Sequence, residues 1–308
     1  MRTFYQRLLD VTFTLTSGTF DGKNTVLKIP GLRVSATVKV GAQGLSNLEC
    51  EIYGLKKDVI KRLMGVHLAA ATPWQKDRNG IKLEVYSSVD DTRYVLFNGE
   101  IFVAIADFNN VPEVPLRVTA SDTYGKQSIV LQPKTFAGAA KVSDIMAYLA
   151  GQCGCVLENN GVDDSFVLRD YTVQGSAVQA IEETARAAQI DWNFLGQGTI
   201  QTDEAPSGVL VICKKGVTRK DATSEIHEAN GMVGYPVLTT ENVHVKCLFN
   251  PRYWKSNRVR LFASEEMDIL NGEYIIQNVK HTVHSELPGG QWVSELTLGW
   301  LPGQEVKQ

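Results

Sequence analysis

The sequence predicts a mainly β protein with a small α/β insert, in which two antiparallel β domains, each a barrel or a sandwich, flank the inserted helices. Three observations carry this expectation. Apolar and polar residues alternate with period two through the first third of the chain. Helical spacing sets in after Pro133, and period two returns from Val209 to the end. The expected boundaries are 1–120, 121–202 and 203–308.

In the first domain, Val11, Phe13 and Leu15 alternate with threonines, and Leu32, Val34, Ala36, Val38 and Val40 alternate with polar residues, as half-buried strands do. Gly41-Ala42-Gln43-Gly44 and Ser46-Asn47 mark a turn. With Leu48, Cys50 and Ile52 beyond it, these residues spell an antiparallel hairpin. A short helix is expected over 56–64. Further strands are expected at 81–86, 94–97, 100–106 and 116–120, with Asn98-Gly99 read as a tight turn.

In the insert, Val142, Ile145, Met146 and Leu149 recur at helical spacing up to Gly151, and Val178, Ile181, Ala185 and Ala188 repeat the pattern 36 residues on. Ser176 with Gln179 resembles a capping box. Short apolar segments, 155–157 and 190–194, follow the two helices, so two weak copies of a helix-strand unit are expected. The closing domain shows alternation at 209–212, 243–249, 258–262, 274–283 and 291–299. Asn271-Gly272 before, and Pro288-Gly289-Gly290 between, make the last two runs a long hairpin.

At 308 residues, 44% hydrophobic and 21% charged, the chain is globular in composition. Lys and Arg number 31 against 34 Asp and Glu, a formal charge of −3, and no dense basic block occurs. Phosphate-driven nucleic-acid recognition needs clustered positive charge and is not expected. The polar start Met1-Arg2-Thr3-Phe4-Tyr5-Gln6-Arg7 does not read as a signal peptide, and no run is apolar enough to span a membrane, so a cytosolic product without a membrane anchor is expected. The five cysteines, Cys50, Cys153, Cys155, Cys213 and Cys247, are odd in number and scattered, as reduced packing thiols would be.

Cys153-Gly154-Cys155 has one residue between thiols where zinc knuckles use two to four, and no second pair follows. His281 and His284 lie in an alternating segment that sends them to opposite faces. His244 in an expected strand and His67 near a helix end read as surface or boundary histidines, and His227 carries no signal of its own. The carboxylate pairs Asp90-Asp91, Asp163-Asp164, Glu182-Glu183 and Glu265-Glu266 are adjacent, whereas glycosidase chemistry needs carboxylates facing across a cleft. Gly196-Gln197-Gly198 lacks the third glycine of a dinucleotide loop. No catalytic, cofactor or metal residue is assigned. Arg252, Tyr253 and Trp254, between two expected strands, mix cationic and aromatic groups as interface anchors do, or tuck an aromatic under a loop.

The order Gly234-Tyr235-Pro236, 245–251, Asn271-Gly272-Glu273-Tyr274, Val279-Lys280-His281 and Gly289-Gly290-Gln291-Trp292 resembles the baseplate hub proteins of long-tailed phages. Phe97-Asn98-Gly99-Glu100-Ile101, then Asp107-Phe108 and Pro112, extend the likeness to the first domain. The resemblance implies β domains of tail-tube type, two per subunit, in a homotrimeric ring that surrounds a channel with six similar domains. Such a ring joins a sixfold tail tube, or a tube-initiator protein, to a threefold central spike, with baseplate wedge proteins around it. It also implies a place in the virion tail baseplate after assembly in the host cytoplasm, a structural role without enzymatic activity, and no cofactor. The alternatives are a tail-associated cell-wall hydrolase and a carbohydrate-binding adhesin using some of Trp74, Trp192, Trp254, Trp292 and Trp300.

Overall fold

Period-two alternation becomes strand pairing wherever one face has a core to enter. The computed structural model describes residues 7–41, 45–65, 79–87, 92–106, 108–109, 113–195, 208–219 and 223–301. The first part contains β1 (Arg7–Thr14), β2 (Val26–Ile29), β3 (Val34–Val40), β4 (Ser46–Ile52), helix α1 (Lys57–Gly65), β5 (Gly80–Ser87), β6 (Tyr94–Ala106), β7 (Leu116–Ser121) and the single-turn α2 (Tyr124–Gln127). The middle contains β8 (Val130–Lys141), α3 (Val142–Gln152), β9 (Val156–Asn160), β10 (Val167–Ser176), α4 (Ala177–Ala188), β11 (Ile190–Leu195) and β12 (Val209–Lys214). The last part contains β13 (Ser224–Ile226), β14 (Val237–Leu238), β15 (Val243–Leu248), β16 (Arg258–Leu261), β17 (Gly272–Ser285) and β18 (Trp292–Trp300).

The fold is mainly β, as the alternation predicts. In the β3–β4 hairpin, Val34 faces Ile52 and Val40 faces Ser46, which turns Val34, Ala36, Val38, Leu48, Cys50 and Ile52 inward. The two β halves are not separate sheets. β17 pairs with β3 from Val279–Val40 to Ser285–Val34, and a 13-stranded sheet runs in the order β14-β15-β18-β17-β3-β4-β7-β6-β5-β1-β2, with β16 on β17 and β13 on β16. One hydrophobic core accordingly contains Leu9, Phe13 and Leu83 of the first half together with Val259, Tyr274 and Leu298 of the last.

Asn98-Gly99 is not a turn. It lies inside the unbroken 13-residue β6, which pairs with β5 over residues 94–100 and with β7 over residues 100–106. A Cβ on Gly99 would sit 2.5 Å from the Ser121 carbonyl oxygen and 2.8 Å from the Phe97 ring. The glycine is required for close approach where the strand changes partner, which in sequence looks the same as a turn signal.

Three further segments differ from expectation. Residues 130–141 and 167–176, either side of the first expected helix, form a two-stranded antiparallel ribbon, with Pro133 tolerated because β8 is an edge strand. Val209–Lys214, expected to open the closing domain, pairs instead with β9 and β11 of the middle part. Leu210 and Ile212 enter the core of α3 and α4, whereas Val211 and Cys213 enter the core of the large sheet, so β12 is a wall shared by both cores. The expected helices are present, with the serine half of the expected capping box: Ser176 Oγ accepts from the Gln179 amide at 3.2 Å, while the Gln179 side chain donates to Glu183 at 2.9 Å. Residues 42–44, His67, Trp74, Asp90, Asp91, Asp107, Pro112 and 196–198 lie outside the described residues.

Replacing Gly99 with Ala is expected to destabilise the fold by about 1–3 kcal/mol, since the new methyl meets backbone that cannot move aside. Gly151→Ala, where a Cβ would meet nothing within 4 Å in α3, is expected to stabilise by about 0.5–1 kcal/mol. Urea unfolding of both variants beside the parent measures the contrast.

Candidate assembly surface

The loop joining β15 to β16 carries Arg252, Tyr253 and Trp254. It is folded back on itself: the Arg252 amide donates to Asn250 Oδ1 at 3.0 Å, and the Asn257 side chain donates to the Arg252 carbonyl at 2.9 Å. Ser256, at φ 68°, lets its amide reach the Ile276 carbonyl at 2.8 Å, while the Ile276 amide reaches Asn257 at 2.9 Å. This ladder presses the loop onto β17.

Tyr253 and Trp254 are each only 3% exposed. Trp254 stacks on the His281 ring at 6.1 Å and 17°, and Phe249 meets the same ring edge-on at 5.2 Å. His281 Nε2 lies 3.0 Å from the Tyr253 carbonyl oxygen and Nδ1 lies 2.8 Å from Ser294 Oγ. A carbonyl can only accept, so Nε2 bears the hydrogen and Nδ1 accepts the serine hydroxyl. Burial holds His281 down to about 4, neutral at physiological pH. Of the two readings of this loop, the tucked aromatic describes Tyr253 and Trp254 within the chain: His281 offers their loop a buried stacking and hydrogen-bonding partner, and of the three residues Arg252 is exposed.

The next residues dock the middle part. Lys255, buried, points its Nζ at the Trp192 carbonyl at 3.5 Å, and Ser256 Oγ donates to Asn193 Oδ1 at 3.4 Å. Burial lowers the Lys255 pKa, against the opposing pull of Asp191. Arg219 Nε and Nη2 grip Glu158 at 2.8 Å each while Nη1 reaches Asn257 at 3.2 Å. No sequence signal could have found this cluster, since its partners stand 38 to 63 residues apart and none belongs to a motif.

Several other candidate groups are absorbed locally. All five cysteines are free and buried, and burial raises the Cys153 thiol to about 11. No cluster of three or more His, Cys, Asp or Glu that could hold a metal occurs among the described residues. Asp163 accepts from the Ser165 amide at 2.9 Å, Asp164 pairs with Lys141 at 2.7 Å, and Glu182 pairs with Arg186 one helical turn away at 2.9 Å. His284 accepts from the Gln291 amide at 3.1 Å and His244 lies 3.3 Å from Thr297, while His227 meets Phe262 edge-on.

What remains open is surface of two kinds. The outward face of the sheet from β15 to β7 is polar: Lys246, Glu295, Lys280 and Lys39 align in register across four strands, and Thr282, Thr37, Glu49 and Thr119 form the neighbouring row. Three of its ion pairs are Lys280–Glu295 at 2.9 Å, Lys39–Glu49 at 3.0 Å and Arg117–Glu51 at 2.9 Å. Exposed apolar side chains occur near its end strands, Val233, Tyr235, Val237 and Leu248 by β14 and β15, and Ile105 and Phe108 on and after β6, while Leu238, in register with the buried Val243, lies on the other face.

Trp254→Ala is expected to cost about 3–5 kcal/mol of fold stability, against a change within about 0.5 kcal/mol for Arg252→Ala, compared by denaturant titration. Because the folded His281 refuses a proton that the unfolded chain accepts, stability falls as pH drops from 6.5 towards 4. The loss due to this ring is about 3 kcal/mol. His281→Gln is expected to be less stable at pH 7 and to lose this portion of the slope, read from unfolding curves at a series of pH values.

No curated protein matches the chain by sequence. Among solved structures, it is similar to a tail protein from Neisseria meningitidis MC58, with a TM-score of 0.58 and 10% identity over 96% of this chain and 97% of that one. The 43 kDa tail protein of prophage MuSo2 from Shewanella oneidensis gives a TM-score of 0.56 and 9% identity over 94% and 97%. The E. coli c3393 protein, a type VI secretion system component with structural similarity to the T4 bacteriophage tail proteins gp27 and gp5, gives 0.56 and 6% over 98% and 78%. At these identities the likeness establishes the fold. The family described as baseplate hub gp41 matches residues 8–287, which takes in both β halves and the middle part, and the chain belongs to that family of phage tail structural proteins.

Proposed function

We propose that this chain is the structural hub subunit of a phage tail baseplate, closing as a homotrimeric ring that joins the sixfold tail tube to the threefold central spike. The observation that carries this reading is the β3–β17 pairing, which fuses two β halves edge to edge so that neither can turn relative to the other. Each half contains one long strand that changes partner midway, β6 in the first and β17 in the last. Three chains carrying two such rigid halves present six comparable β units on one face and three subunits on the other.

In this reading residues 1–120 and the closing part from β13 onward form the tube-like wall, and the α/β insert, with β12 completing its sheet, faces the wedge proteins around the hub. The tail tube or a tube-initiator protein stacks on one face and the spike on the other. Arg252 supplies a charged surface contact beside the buried Tyr253 and Trp254. The work is adhesion and shape, with no bond made or broken, and the ring assembles in the host cytoplasm before entering the virion.

Light scattering after size exclusion, followed by electron microscopy, tests this. The expected result is a mass three times that of the chain and a ring of threefold symmetry with six lobes around a hole. A chain that stays monomeric at every concentration, and also when mixed with its tail tube and spike proteins, would overturn it.

A further inference from the structure

We infer that the α/β insert is fastened to the first β half by a proton-dependent clasp, in which the Asp122 carboxyl closes on Ser46 when it carries a proton and holds less firmly when ionised. The clasp sits where the chain leaves β7 for α2, the single turn that leads into the insert. Asp122 Oδ1 accepts from the Ser46 amide at 3.1 Å, and the Asp122 amide donates to the Ser46 carbonyl at 3.2 Å. Ser121 Oγ donates to the same carbonyl at 3.2 Å. Ser46 opens β4, so these bonds tie one strand of the large sheet to the entrance of the insert.

The geometry suits a carboxyl that holds a proton. Asp122 is 6% exposed, and its Oδ2 has no hydrogen-bond partner among the described residues. Ser46 Oγ, also buried, lies beside the carboxyl without a well-formed bond of its own. An ionised carboxylate only accepts, which leaves its charge and Oδ2 uncompensated, whereas the protonated form has a hydrogen to donate to the serine oxygen. The cation on α2 is engaged elsewhere: Lys126 Nζ donates to the Asp122 backbone carbonyl at 2.7 Å and rests over the Phe194 ring at 5.1 Å. Its attraction lowers the Asp122 pKa by less than burial raises it.

The other groups at this junction offer the carboxylate no pairing. Cys153 and Cys155, on the loop after α3, are thiols that burial raises and keeps neutral. Glu100 stands opposite Ser121 in the β6–β7 pairing, lies against Gly125 of α2, and has the same sign as Asp122. Burial pushes Asp122 from 3.8 up to about 6. Because the folded value exceeds the unfolded one, the clasp is at full strength below 3.8, weakens as pH rises, and reaches its looser plateau above about 6. His281 responds in the opposite sense. Its ring holds the loop whose Lys255 and Ser256 reach β11, so the insert has one mount on each β half, and protons tighten the first while loosening the second.

Hydrogen exchange of the full chain between pH 5 and pH 8, corrected for the intrinsic rate and read by mass spectrometry over 45–52 and 120–128, tests the clasp. Opening of these segments is expected to be about tenfold more frequent at pH 8 than at pH 5, from pKa values of 3.8 open and about 6 closed. Asp122→Asn keeps an acceptor for the Ser46 amide and adds a permanent donor, so it is expected to hold the pH 5 level of protection throughout. Exchange that is flat with pH in the parent, or that keeps its pH dependence in the variant, would overturn the inference. Should the variant not fold, the 13C shift of the Asp122 carboxyl in the parent decides, with a midpoint near 6 supporting the clasp and one at 4 or below sinking it. Neither readout depends on whether the chain assembles.

Discussion

The pairing of β17 with β3 is the constraint on which the rest of the molecule depends. These strands lie more than 230 residues apart in the chain, yet seven residue pairs between them turn two β halves into one sheet over one core. Because a side chain's face alternates along a strand, a one-residue slip here would turn Val38, Val40, Val279 and Val283 to water. The register is therefore set by burial on both sides of the seam. It is also the seam that makes the chain a rigid tandem rather than two beads on a linker.

A second rigidity comes from β12, whose two faces enter different cores. A central strand buried on both sides has no wet face, which explains its continuous apolar run Val209-Leu210-Val211-Ile212-Cys213. Polar groups finish the attachment: Arg219 bridges Glu158 and Asn257, and Lys255 and Ser256 reach the backbone and side chain of neighbouring β11 residues. Buried polar contacts of this kind orient the insert more than they stabilise it, since the desolvation of Lys255 and Arg219 offsets much of their attraction. The insert is thus carried at a fixed angle to the sheet.

The same logic accounts for the fate of the reactive side chains. His281 is neutral inside an aromatic cage, burial raises the thiol pKa values, and Asp163, Asp164, Glu182 and Glu183 are each taken up by a near neighbour. Groups arranged in this way hold loops and turns in place. The surface, by contrast, has paired charges across the middle of the outward face and exposed apolar side chains near its end strands.

Period-two alternation, helical spacing and turn residues by themselves determined the β–α/β–β order, the β3–β4 and β17–β18 hairpins, both insert helices and the Ser176 cap, because each depends on neighbours within a few residues. Only the tertiary structure decided the rest. Asn98-Gly99 spells a turn locally, but the backbone of Ser121 needs that glycine for close approach. Residues 209–213 read as a buried strand in either sheet, and only the packing of α3 and α4 chose which. Trp254 is equally suited to an interface or a core until His281, brought from 27 positions away along the chain, supplies the stacking partner. Local pattern reports which residues shun water, and long-range pairing decides what they shun it against.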